Sequence, residues 1–122
     1  MTNVGAVIEE ASIQKIFDLF KNKPGNLKFN ETDAIIITAK TEDNRHVTRT
    51  FYCCLKPDGT IDETIIAGDG SRARRHQLVS FLMNNGITGN IKGYNIKEKI
   101  GEWKGKSIAA LVSEKDGSIH IP

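Results

Sequence analysis

The stretch GDGSRARRHQLVSFLMNNGITGNIKGYNIKEKIGEWKGK, from Gly68 to Lys106, constrains most strongly what this chain can fold into. It opens on a Gly-Asp-Gly turn. Ser71 is placed to cap a helix by accepting from the unpaired amides of the first turn. The spacing predicts that helix over Arg72–Asn84, with Leu78, Phe81 and Leu82 on one face, supported by Ala73, Val79 and Met83. Asn85-Gly86 ends it, since glycine suits the left-handed residue that closes a helix. After a loop over 87–93, Asn95 is placed to cap a second, short helix, IKEKIGEW, that turns Ile96, Ile100 and Trp103 inward. The stretch closes on the turn Lys104-Gly105-Lys106. Its apolar half is a plug that needs a barrel or sheet to sit on, and the flanking sequence supplies strands.

Upstream, residues 9–22 read as an amphipathic helix. Ile13, Ile16, Phe17 and Phe20 fall at i, i+3, i+4 and i+7, and Pro24-Gly25 stops the pattern. The first strand lies within 27–40, centred on the β-branched run Ala34–Ala39. TEDN at 41–44 is a turn, and 45–55 is a second strand. On that strand Val47, Phe51, Cys53 and Leu55 share a face with Arg49, while His46, Thr48, Thr50, Tyr52 and Cys54 share the other. The second face is polar with one aromatic ring, either a wet sheet face or a ligand-facing one. Pro57-Asp58-Gly59 is a tight turn, followed by a short third strand over 60–67. Downstream of the organising stretch, 106–114 is a strand, Lys115-Asp116-Gly117 a hairpin turn, and 118–121 the last strand.

A chain of 122 residues is expected to form a single domain. Its apolar runs fall far short of the roughly 18 residues of a membrane-spanning helix. MTNVGAVIEEAS lacks the basic start of a secretory signal, so the expectation is a cytoplasmic protein. Cys53 and Cys54 are neighbours, which on a strand point to opposite faces. They read as one buried and one surface thiol, with a reactive thiol as the alternative.

Net charge is only +2, but residues 70–106 hold eight Lys and Arg against two Glu. Asymmetry of this kind points to a polyanion or to an ordinary solvated surface. The three histidines are scattered, and no ligand spacing for a metal is present. Gly68-Asp69-Gly70 lacks the Gly-Lys-Ser/Thr of a phosphate loop. No catalytic constellation and no cofactor are expected. Basic side chains interleaved with aromatic rings are what a nucleic-acid groove requires.

The segments RRHQLVSFLMNN, YNIKEKIGEWKGKSIAALV and the final SIHIP after its Asp-Gly turn resemble single-stranded-DNA-binding OB-fold proteins of phage and archaeal type. In these a helix leads through a Gly-Lys turn into the fourth strand; here the turn is Trp103-Lys104-Gly105-Lys106. The resemblance implies an α+β chain. It would have an N-terminal helix (1–24) and a five-stranded antiparallel OB-like barrel (25–122), with a helix between strands three and four. It also implies a non-enzymatic module for single-stranded DNA or RNA. Arg45, Arg49, Arg72, Arg74, Arg75, Lys104 and Lys106 would contact phosphates, while Tyr52 and Trp103 would stack on bases. For Trp103 a core role is the alternative. Two other readings stand beside it. One is a protein-interaction or self-assembly module using the N-terminal helix. The other is a small phosphate-ligand binder or enzyme using the turn from Gly68 to His76.

Overall fold

Val4, Ala6 and Ile8, and then Ala11 and Ile13, are apolar at every second position, with one residue too many between Ile8 and Ala11. Side chains alternate across a strand. These five can therefore share one face only where a β-bulge absorbs the extra residue. The structure is a computed structural model that describes residues 2–15, 33–61 and 69–122, with side chains described throughout these except at 69–74. It contains that bulge. Strand β1 runs Thr2–Lys15, and its pairing slips between Ile8 and Glu10.

The bulge lets β1 serve two ladders. Its first half, Thr2 to Val7, pairs antiparallel with strand β4 (Ser107–Val112). From Ala6 to Lys15 it pairs antiparallel with β2 (Asp33–Thr41). Strand β3 (His46–Cys53) lies on the far side of β2, and the short β5 (Ile119–His120) on the far side of β4. The order is β3-β2-β1-β4-β5. The end strands β3 and β5 come into contact, so the sheet curls into a nearly closed barrel.

Its inner face is the core. Ala6, Ile8, Ile35, Ile37, Ala39, Val47, Phe51, Ile108 and Ala110 are buried there. Helix α1 (Asp69–Asn84) lays Leu78, Phe81 and Leu82 over them, each 1% exposed or less. The Phe51 and Phe81 ring centroids are 4.9 Å apart, within the range of favourable aromatic pairs. Burying each such side chain contributes about 1.5–3 kcal/mol. The helix ends in a Schellman arrangement. Ile87 N–H donates to Leu82 O at 2.9 Å and Gly86 N–H to Met83 O at 3.2 Å. Gly86 is left-handed at φ 68°, the conformation this cap requires. Asn85 then ties the helix end to the sheet, its Oδ1 accepting from Ala109 N–H at 3.0 Å.

The short helix α2 (Ile96–Lys99) is capped by Asn95, whose Oδ1 accepts from Glu98 N–H, and passes into a 3-10 turn over Ile100–Glu102. It delivers Trp103, which is 0% exposed, to the core. The indole N–H donates to Tyr94 Oη at 2.9 Å, which satisfies its one polar atom. At the other end of the barrel Asp33 is wholly buried. Its Oδ1 accepts from Lys15 Nζ at 2.8 Å and its Oδ2 from Leu55 N–H at 3.1 Å.

These findings correct the expected fold class. The α+β chain with an N-terminal helix is instead mostly antiparallel sheet, and residues 9–15 belong to the central strand. The remainder of the expected helix, 16–22, lies outside the described residues. The helix was read from the spacing of Ile13 onward. The alternation that marks a strand is broken by the bulge, and non-local pairing on both edges decides the outcome. Of the strand expected over 60–67, only Thr60 and Ile61 are among the described residues. Thr60 and Ile61 make only isolated bridges, to Asn95 and Leu55, and 62–68 lie outside the described residues. Among the described residues no strand stands between β3 and α1, so the expected succession of third strand, helix and fourth strand is not seen. The strands expected at 45–55, 106–114 and 118–121 are present in shortened form, and the Ala34–Ala39 run lies wholly within β2.

Deleting Glu9 removes the residue that the bulge absorbs. A one-residue slip turns every side chain on one half of a strand to the opposite face. The deletion variant is expected to lose cooperative thermal unfolding by circular dichroism, while Glu9→Ala retains it. A cooperative transition in the deletion variant would refute this account of β1.

Candidate functional site

The outer face of the sheet follows from the register. Ser107 of β4 pairs with Val7 of β1, Val7 with Lys40 of β2, and Lys40 with His46 of β3. These four residues form a continuous row across four strands, about 14 Å long at the usual spacing between strands. The next row is Glu10, Thr38 and Thr48, then Ser12, Ile36 and Thr50, then Gln14, Ala34 and Tyr52. Thr38 and Thr48 hydroxyls meet at 3.4 Å. Lys40, His46 and Ser107 are exposed, and Val7 is one of two large apolar side chains standing 40% exposed or more among the described residues.

The bulged Glu9 stands beside this row. Its Oε1 lies 2.9 Å from His46 Nε2, yet no donor is aligned on that oxygen and the atom itself is buried. Proximity without alignment is a weak interaction, and the contact is an ion pair only where His46 is protonated. An open groove of about 400 Å³ lies here, walled by Val7, Glu9, Lys40, Glu42 and Ser107 among others. Gly5 lies at its floor. A Cβ there would fall 2.3 Å from a Glu42 carboxylate oxygen, and Glu42 N–H donates to Gly5 O at 3.0 Å. The turn bearing Lys104 and Lys106 joins β1 at the bulge. Ile8 N–H donates to Lys106 O at 2.9 Å, and Gly105 N–H to Ile8 O at 2.8 Å. Both lysines are exposed.

The described residues among those singled out from sequence do not all lie on one surface. Trp103 is buried, so its expected role in stacking on a base is corrected to that of a core anchor. Arg45, exposed next to the 41–44 turn, is engaged by groups of its own chain. Its guanidinium pairs with Asp43 Oδ2 at 2.8 Å, and its Nη1 donates to Gly117 O at 3.0 Å. The second contact bridges the β2–β3 turn to the β4–β5 hairpin. Arg49 lies half-buried on the inner face of β3, its guanidinium carbon 4.7 Å from the Phe51 ring centroid and its Nη2 donating to Gln77 at 3.2 Å. Its Nε is buried without a hydrogen-bond partner. Arg75 is half-buried on α1, and the side chains of Arg72 and Arg74 lie outside the described residues. The phosphate-loop alternative falls largely on those same residues. Tyr52 is on the outer face, half-buried, on the polar side of β3 where the alternation put it. Cys53 is buried and Cys54 half-buried.

Sequence reasoning passed over Val7, Glu9, Lys40, Glu42 and Ser107 as ligand-facing residues, while His46 stood on the side of the second strand that it named as either wet or ligand-facing. Lys40 was within reach, because a turn at 41–44 sets it opposite His46. The rest depend on β1 being a strand. Among the described residues no group of His, Cys, Asp and Glu is gathered as for a metal, and no helix is long and apolar enough to cross a membrane. No protein-family model, curated protein or solved structure matches the chain.

Three turn aspartates are held below the ordinary carboxylate pKa. For Asp58 and Asp116 the cause is the hydrogen bonds from Thr60 and Ser118 respectively. For Asp43 it is first the hydrogen bond from Arg45 and then that from the Thr41 hydroxyl. A depressed folded value means the contact stabilises above the unfolded carboxylate pKa of about 3.9 and is lost as pH falls through the folded one. Arg45→Ala is expected to raise the Asp43 pKa toward the ordinary value in a carboxylate NMR titration, with Asp58 and Asp116 unchanged. An unaltered Asp43 titration would show that Arg45 is not held there.

Proposed function

We propose that this chain is a non-enzymatic module that binds single-stranded nucleic acid on the outer face of its barrel, across β4, β1, β2 and β3. The observation that carries the reading is the four-strand row Ser107–Val7–Lys40–His46, flanked by the Lys104–Lys106 turn at the bulge. Exposed cations at the row and at the turn offer contacts for phosphates. Exposed Val7 and half-buried Tyr52 offer apolar and aromatic surface for bases. Single strands suit such a face because their bases are available for packing while the backbone follows the charges. The resemblance to OB-type single-stranded-DNA-binding proteins is part of this proposal. Its support is the arrangement of five antiparallel strands with β1 shared between β2 and β4.

Fluorescence anisotropy with a labelled single-stranded oligonucleotide, at two salt concentrations, tests the reading. Three lysines on phosphates of a single strand give a slope of log K against log salt of about −2. A tenfold rise in salt then weakens binding roughly a hundredfold. Lys40→Glu with Lys106→Glu is expected to abolish binding at the lower salt, whereas Arg45→Ala, whose charge is engaged internally, leaves it within about twofold. Flat anisotropy at low salt, or full affinity in the lysine double variant, overturns the proposal.

A further inference from the structure

Lys106 N–H donates to Trp103 O at 3.0 Å, which closes a β-turn over 103–106. Gly105, third in that turn, has φ 89°, while Lys104 before it lies at negative φ. That succession is a type II turn. The commoner type I turn takes most residues at these positions, whereas type II calls for glycine or asparagine at the third. Packing does not ask for the glycine. Gly105 is exposed, and a Cβ built on it meets nothing within 4 Å.

The two turn types differ mainly in the direction of their central peptide. Here that is the peptide between Lys104 and Gly105, and its N–H donates to Ile8 O at 2.8 Å. In a type I turn the same N–H would face the opposite way and the bond would be absent. Ile8 N–H returns a bond to Lys106 O at 2.9 Å, so the turn and the residue before the bulge exchange two hydrogen bonds. Ile8 is 1% exposed and Trp103 0%. The turn is thus tied to buried residues on two sides, and what it holds into solvent is Lys104 and Lys106. Cations fixed in place before binding lose less freedom on meeting a phosphate chain than cations on a loose loop.

Resting on the reading of the chain as a single-strand binder, we propose that Gly105 is a positioning residue for that binding. Its left-handed backbone aims the 104–105 peptide at Ile8. This sets Lys104 and Lys106 beside the Ser107–Val7–Lys40–His46 row, where they meet phosphates of the strand. Gly105 acts through the two lysines and not by its own contact. A residue with a Cβ and little tolerance of positive φ relieves its strain by turning that peptide over. The tie to Ile8 O is then lost, and the lysines leave the row.

The test measures the slope of log K against log salt by anisotropy, with labelled oligo(dT), for the unaltered chain and for Gly105→Ala and Gly105→Asn. A smaller folded fraction lowers the apparent affinity without removing a phosphate contact, so the slope separates positioning from stability. With three lysines on phosphates the unaltered chain gives about −2. Gly105→Ala is expected to give about −1.4 or shallower, the loss of at least one phosphate contact. Gly105→Asn adopts positive φ far more readily and is expected to restore the slope. An unchanged slope in Gly105→Ala overturns the proposal, and so does an equal loss in the alanine and asparagine variants. Where circular dichroism shows Gly105→Ala unfolded, Lys104→Gln with Lys106→Gln keeps the turn backbone and is expected to give about −0.7. An unchanged slope in that double variant overturns the proposal equally. Absence of binding by the unaltered chain at low salt overturns the underlying reading instead.

Discussion

One extra residue in β1 sets the geometry of this protein. A strand of this length, paired on both sides with the same side-chain phase throughout, would put either Ala6 and Ile8 or Ala11 and Ile13 on the wrong face. The bulge between Ile8 and Glu10 restores the phase. A bulge also sharpens the local twist, and here the strand passes from its ladder with β4 to its ladder with β2 at that region. The barrel's curvature and the continuity of its core therefore depend on the same residue. The main-chain groups loosened by the bulge are taken up by Gly105 and Lys106, which bond to Ile8. The lysine turn is thus held at the bulge by backbone hydrogen bonds as well as by sequence.

Closure of the barrel relies on parts other than a continuous ladder. β5 is two residues long and touches β3 without extending the sheet. The gap is spanned near one end by Arg45, which reaches Gly117 O while holding Asp43. Elsewhere α1 lies on β3, with Phe81 against Phe51 and Gln77 against Arg49. Asn85 occupies the amide of Ala109 on β4. Side chains that pair open backbone groups at a sheet edge make that edge a poor template for another strand. They also explain where several of the basic and amide side chains have gone.

Much of the fold was legible locally. The Ala34–Ala39 run, the TEDN and Lys-Asp-Gly turns, the α1 stripe with its Gly86 stop and the Asn95 cap are each decided by residues within a few positions of one another, and each stands as read. β1 was illegible for a physical reason. A strand with a phase slip presents neither clean alternation nor a helical stripe. Its pairing partners lie some thirty positions away in β2 and a hundred in β4. The site followed the same division. His46, Thr48, Thr50 and Tyr52 share an outer face because β3 alternates, as the sequence implied. Their completion by Val7, Glu9 and Ser107 is a property of register between distant segments.

Arginine and lysine side chains fare differently among the described residues. Arginine carries a planar fork of donors that bonds well to backbone carbonyls and carboxylates and stacks on rings. Exposed Arg45 and half-buried Arg49 are engaged in those ways within the chain. Lysine is a compact, strongly hydrated charge on a flexible stem, and its cost of desolvation keeps it outside. Lys40, Lys104 and Lys106 accordingly remain exposed around the bulge. The same logic applies to Trp103, whose large ring is more valuable to a small core than to a surface. A basic, aromatic-bearing stretch therefore divides on folding. Trp103 is buried and Arg49 half-buried in the frame, Arg45 on the surface is engaged by Asp43 and Gly117, and Lys40, Lys104 and Lys106 stand exposed around the bulge.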